Sequence, residues 1–146
     1  MIKILCTLAL FSFLIISCNV FKCKKKDAVS KLEGNWELTD ITGSQIAFDG
    51  LYPNKKPTIN FNTKENLVSG NNSCNFYTGK SNVTENKIDF TQPMAATKMM
   101  CLDGDGQGEQ VYMSTLESVT SYTITDGGKT LNLISGDTAR MRFTKK

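Results

Sequence analysis

The chain has 146 residues, 40% of them hydrophobic and 21% charged, with a formal net charge of +3. That length supports one domain with an ordinary core, and the charge is too small and too dispersed to argue for a nucleic-acid surface. Histidine is absent, which removes imidazole as general base, as zinc or copper ligand and as a member of any Ser-His-Asp set.

The first element is an apolar run from Ile4 to Ile16, preceded by Lys3. It has the length of a secretory h-region and is too short to cross a bilayer as a stable helix. It leads into Ile15-Ile16-Ser17-Cys18, a small residue directly before a cysteine, which is the lipobox arrangement of bacterial lipoproteins. The expectation is a leader over residues 1–17, cleavage that makes Cys18 the first residue, and a diacylated Cys18 thiol that anchors the protein to membrane. Cys6 leaves with the leader. Residues 18–30 read as a tether, rich in lysine and without apolar periodicity. Its dozen or so residues reach roughly 40 Å when extended. Cys23 lies in this tether, and Val20-Phe21-Lys22 before it fits a cleavage site poorly. Lys24, Lys25 and Lys26 read as a solvated spacer, the alternative being contact with anionic headgroups. Asn19 stands where an aspartate would mark inner-membrane retention, so the expected location is the cell envelope, at the outer membrane.

From residue 31 to 146 the chain reads as one domain in which apolar residues recur with period two. Trp36 and Leu38 alternate after Gly34. Ile59 and Phe61 alternate within Thr58 to Asn62. Leu67 and Val68 lead into Ser69-Gly70. Val83 is followed by a turn at Glu85-Asn86, then by Ile88 and Phe90. Tyr122 and Ile124 precede a hairpin turn at Asp126-Gly127-Gly128. Leu131 and Leu133 precede a second turn at Ser135-Gly136-Asp137, and Ala139, Met141 and Phe143 close the chain. Short alternating strands with turn signals every eight to twelve residues or so predict an antiparallel sandwich or barrel. One segment breaks the period: Tyr112, Leu116 and Val119 have helical spacing, with Val111 and Met113 beside them. Glu109 would sit in the first turn, where a negative charge suits the helix dipole. One helix of about ten residues over Glu109 to Val119, packed on or plugging the barrel, is expected.

Asp103-Gly104-Asp105-Gly106-Gln107-Gly108 has the look of a calcium loop, but the twelfth place falls on Ser114, which lacks the bidentate carboxylate such a loop needs. It reads as a solvated loop leading into the helix. Met94, Met99 and Met100 gather near Cys101. Soft sulfur donors of this kind can hold Cu(I), but thioethers more often fill irregular core space, and that is the reading taken. No metal or other cofactor is expected. Cys74 and Cys101 are the two cysteines inside the domain. Two readings stand for them: a disulfide in an oxidising compartment, closing a loop of about 28 residues worth roughly 3 to 4 kcal/mol on a chain-entropy model, or two buried free thiols acting as small apolar side chains. No serine sits in a Gly-x-Ser-x-Gly elbow and no pair of acids is singled out, so no catalytic residue is expected.

Two blocks carry a family resemblance. The first is Val68-Ser69-Gly70-Asn71-Asn72-Ser73-Cys74-Asn75-Phe76-Tyr77-Thr78-Gly79. The second is Thr97-Lys98-Met99-Met100-Cys101, followed by a loop and Glu109. With Leu32-x-Gly34-x-Trp36-x-Leu38 in front, this order resembles the META domain, or HslJ-like, family from about Leu32 to Phe143. The chain departs from the family pattern at Ser73, where glycine is usual, and at Met100, where alanine is frequent. A position that favours glycine is mildly strained by serine. The resemblance implies a mainly β fold, a small antiparallel barrel of lipocalin-like architecture with one packed helix. It implies that Gly70 and Gly79 allow tight backbone geometry, that Asn75 bonds neighbouring backbone, that Thr97, Met99 and Glu109 belong to the same motif set, and that Cys74 and Cys101 face each other. It also implies a non-enzymatic envelope lipoprotein connected with stress or antibiotic tolerance. The partners expected are the membrane, through Cys18, and an envelope protein or small molecule that the sequence does not identify. Two alternatives are a carrier of a small hydrophobic ligand inside the barrel and an inhibitor of a secreted hydrolase.

Overall fold

The structure is a computed structural model that describes residues 29–90, 92–101 and 105–146. The expected leader and the expected tether up to residue 28, with Cys6, Cys18 and Cys23, lie outside the described residues, as do Asp103 and Gly104. Residues 29–32 form a helical turn, so the last two residues assigned to the tether are part of the ordered fold. The turn is tied down because the Trp36 indole Nε1–H donates to the Leu32 carbonyl at 2.8 Å and Leu32 itself is fully buried.

Among the described residues ten strands follow, with two α-helices and one short 3-10 turn (Asp126–Gly128) between them: β1 (Gly34–Ile41), α1 (Phe48–Leu51), β2 (Thr58–Asn62), β3 (Leu67–Asn71), β4 (Phe76–Lys80), β5 (Asn82–Thr84), β6 (Lys87–Asp89), β7 (Ala95–Ala96), α2 (Asp105–Glu117), β8 (Ser121–Thr125), β9 (Thr130–Ser135) and β10 (Thr138–Lys145). They make one sheet in the order β5-β6-β8-β9-β10-β1-β2-β3-β4-β7, and the strand pairs are antiparallel. The sheet curls into a half-barrel, so its concave face becomes the core. Period-two side chains fill that face: Trp36, Leu38, Ile59, Phe61, Val68, Ile88, Tyr122, Leu131, Leu133, Met141 and Phe143 are all buried. Burying a side chain of this size is worth about 1.5 to 3 kcal/mol. In β1 the inward set runs Trp36, Leu38, Ile41, because the register against β10 shifts between Leu38 and Asp40 and an extra residue turns the strand's phase.

The helix predicted over Glu109 to Val119 runs Asp105–Glu117 and begins earlier than expected. The reading of Asp103 to Gly108 as a loop is therefore corrected from Asp105 onward. Glycine disfavours a helix interior by about 1 kcal/mol, but packing overrides that here. Gly108 is buried, and a Cβ on it would collide with the Leu51 carbonyl and meet the Tyr52 ring at 2.8 Å. Only glycine lets α2 approach α1 this closely. Tyr112 and Leu116 point into the core and are fully buried. The Tyr112 hydroxyl lies 2.7 Å from that of Tyr77 in β4, and Tyr77 donates to the Thr58 carbonyl of β2 at 3.1 Å. Burial pushes both phenol pKa values well up. No helix among the described residues is long and apolar enough to cross a membrane.

Candidate functional site

The turn between β3 and β4 (residues 72–75) and the segment Thr97–Cys101 lie side by side at the N-terminal part of α2, where Glu109, expected in the first turn, falls in the second because the helix starts at Asp105. Both sequence blocks therefore meet, although they are far apart in the chain. Asn75 is the centre. It is 3% exposed, and its side-chain oxygen accepts from the Thr97 hydroxyl at 2.7 Å and from the Met99 backbone N–H at 2.8 Å. Its amide nitrogen donates to Glu109 Oε2 at 3.1 Å. Asn72, fully buried, donates its amide to Glu109 Oε1 at 2.9 Å, and its oxygen accepts from the Asn75 backbone N–H at 2.7 Å. Two amides thus clamp one carboxylate, and charge-assisted bonds of this type are the stronger kind. Cys74 and Cys101 are joined by a disulfide with Cα atoms 5.5 Å apart. Cys101 Sγ, which carries no proton in that state, lies 3.2 Å from Glu109 Oε2.

The motif residues thus have distinct places. Asn75, Thr97, Glu109 and the backbone of Met99 form the hub. Gly70 lies within β3, where a Cβ would run into the Thr58 carbonyl and the Tyr77 hydroxyl, so a side chain is excluded by the strand beside it. Gly79 sits in β4 beneath Met94 and takes no part in the hub. Ser73, in the place where the family pattern has glycine, adopts φ 92°, a region that L side chains rarely occupy. Asn71 Oδ1 accepts from the Ser73 N–H at 3.0 Å, while the buried Asn71 amide nitrogen has no hydrogen-bond partner among the described residues.

The reading of the methionines as core filler holds for Met94, which packs against the core, and fails for the other two. Met99 is 53% and Met100 97% exposed. The segment is held from its inner side by Met99 N–H, the Thr97 hydroxyl and Cys101, so the thioethers are turned out to solvent. Phe76, at the start of β4, is 58% exposed, with Lys55 Nζ 5.2 Å from its ring centre. Met99 and Met100 line an open depression with Asn54, Lys55, Ser73 and the disulfide. Sequence reasoning missed this patch and missed Asn72. The only available signal for Asn72 was its place in the motif block, one turn before Asn75.

Fold and site together define a small antiparallel half-barrel with one packed helix, whose polar hub and disulfide fix two loops rather than assemble a nucleophile with a base among the described residues. The model of the META domain matches residues 29–146, and the chain belongs to that family. No curated protein matches it. Two solved structures resemble it in fold. One, described as the NMR structure of the protein from Burkholderia xenovorans, is 20% identical, covers 81% of this chain and 86% of its own, and superposes with a TM-score of 0.64. The second, described as the NMR structure of the protein, is 18% identical, covers 78% and 89%, and has a TM-score of 0.54.

Proposed function

We propose that this META-domain protein is a non-enzymatic binding module of the cell envelope, lipid-anchored through Cys18 at the outer membrane, which supports stress or antibiotic tolerance by holding another envelope protein. The observation that carries the reading is the exposed pair Met99 and Met100, on a loop fixed by the Asn75–Glu109 hub and the disulfide, together with Phe76, exposed at the start of β4. Exposed large apolar side chains that are rigidly presented together mark interaction surfaces, and methionine adapts to the contour of a partner. Lys55, which reaches over Phe76 and lines the depression with Met99 and Met100, and Lys98, next to Met99 in the chain, are both exposed, which favours a partner segment that is apolar with an acidic rim. A hydrophobic carrier is disfavoured, because Trp36, Phe61, Phe90, Tyr112 and Phe143 fill the concave side of the sheet. The test is cross-linking in cells from a photoreactive side chain at Met100, compared with one at Leu67, which is exposed on another part of the sheet. The reading expects a discrete protein adduct from Met100 and none from Leu67. Identical patterns from the two positions would count against it.

A further inference from the structure

The geometry points to a second state of the same loops: when the Cys74–Cys101 disulfide is reduced, the two thiolates and the Glu109 carboxylate form a three-donor site for a thiophilic divalent cation of the zinc class. The donor atoms of Cys74, Cys101 and Glu109 already lie within 4.8 Å of one another. Tetrahedral zinc with zinc–sulfur bonds of about 2.3 Å and zinc–oxygen bonds of about 2.0 to 2.2 Å holds its donors roughly 3.5 to 3.8 Å apart, so the two sulfurs, bonded to each other in the oxidised state, must separate to admit an ion. Glu109 Oε2 is 3.2 Å from Cys101 Sγ. Once the sulfurs are no longer bonded, side-chain rotation alone can part them around an ion, because the backbones at Cys74 and Cys101 are set by the hub.

The surroundings are those of a supported ligand. Metal-binding carboxylates are held in place by hydrogen bonds from behind, and these outer partners strongly affect affinity. Here the amides of Asn72 and Asn75 both donate to Glu109. A fourth position would face the open depression beside Met99 and Met100, where water or a donor from a bound partner can complete a tetrahedron. Two thiolates and a carboxylate favour zinc over calcium or magnesium, which prefer all-oxygen sets.

The chemistry balances with a dithiol reductant. The dithiol gives two electrons and two protons to the sulfur–sulfur bond, becomes a disulfide itself and leaves two protein thiols. Ion binding then releases both thiol protons to solvent. The site is therefore open to the ion only in the reduced protein, and an ion held there shields the thiols from reoxidation.

The experiment is a cobalt(II) titration of the folded domain, reduced with a dithiol and freed of it by anaerobic gel filtration. The expected result is a thiolate-to-cobalt absorption that saturates at one ion per chain, is displaced by zinc, and is absent from the oxidised protein. In Glu109→Gln the cobalt affinity should fall by about tenfold or more. Circular dichroism on the same samples establishes that the fold persists. Absence of the band in reduced, folded protein overturns the inference, as does an unchanged affinity in Glu109→Gln or unfolding of the domain on reduction.

Discussion

Replacing Asn75 tests the hub at its centre. Asn75→Ala removes a charge-assisted bond to Glu109, worth about 1.5 to 3 kcal/mol, and two neutral bonds, to the Met99 N–H and the Thr97 hydroxyl, at about 0.5 to 1.5 kcal/mol each. The Thr97 hydroxyl is on an exposed residue and regains water, so its loss counts for little. The expected destabilisation is about 2 to 4 kcal/mol, a large part of the roughly 5 to 15 kcal/mol that holds a small domain together. Asn75→Asp sharpens the test. It preserves the acceptor that serves Thr97 and Met99 but sets a second carboxylate, 3% exposed in its position, about 3 Å from Glu109. Burial and the neighbouring like charge both raise the pKa of the introduced carboxyl. A raised carboxyl pKa means stability is retained below the unfolded value near 4 and lost as pH rises through the folded value. This variant should therefore be weakest at neutral pH and recover as pH falls toward 5. The assay is equilibrium urea unfolding of the oxidised protein at pH 7 and pH 5. A loss under about 0.5 kcal/mol in Asn75→Ala, or an Asn75→Asp variant as stable as the parent at pH 7, would refute the reasoning.

Ser73→Gly should stabilise the domain by about 0.5 to 1 kcal/mol, because φ 92° is strained for serine and open to glycine; thermal unfolding measures it, and a lower Tm would contradict the strain. Gly108→Ala should cost about 1 to 3 kcal/mol, despite alanine's higher helix propensity, because the new methyl meets the α1 backbone and the Tyr52 ring. All four tyrosines (52, 77, 112 and 122) have phenols shifted upward by burial. The folded state thus retains these protons while the unfolded chain releases them, so stability is full below the ordinary value near 10 and declines as pH rises beyond it. Tyrosinate absorbance near pH 10.5 should remain far below that of the unfolded chain, and a normal titration with the fold intact would falsify the buried phenol pair.

Much of the half-barrel was legible because burial on one face of a curled sheet imposes period two. Trp36 and Leu38, Ile59 and Phe61, Leu131 and Leu133, and Met141 and Phe143 all sit where alternation placed them. Strand β4 was not legible by that rule, since in Phe76-Tyr77-Thr78-Gly79-Lys80 only Tyr77 is buried and the most apolar neighbour, Phe76, faces solvent. The helix start was hidden because three glycines and two aspartates in six residues read locally as loop, while the reason for Gly108 lies in α1, more than fifty residues earlier. The hub was legible as residue names and not as contacts: Asn72 and Asn75 reach Glu109 across 37 and 34 residues, and no periodicity spans such a gap. The exposure of Met99 and Met100 follows from how Asn75 grips their backbone, which composition cannot report.

The most direct test of the binding role is complementation. In a strain lacking the protein, the wild-type chain and a Phe76→Ser/Met99→Ser/Met100→Ser variant are expressed to equal levels in the envelope, and survival under envelope stress and antibiotic is scored. The three side chains are exposed, so the variant should fold as the parent does. The proposed role predicts that the wild type restores tolerance and the variant does not. Full restoration by the variant would contradict it.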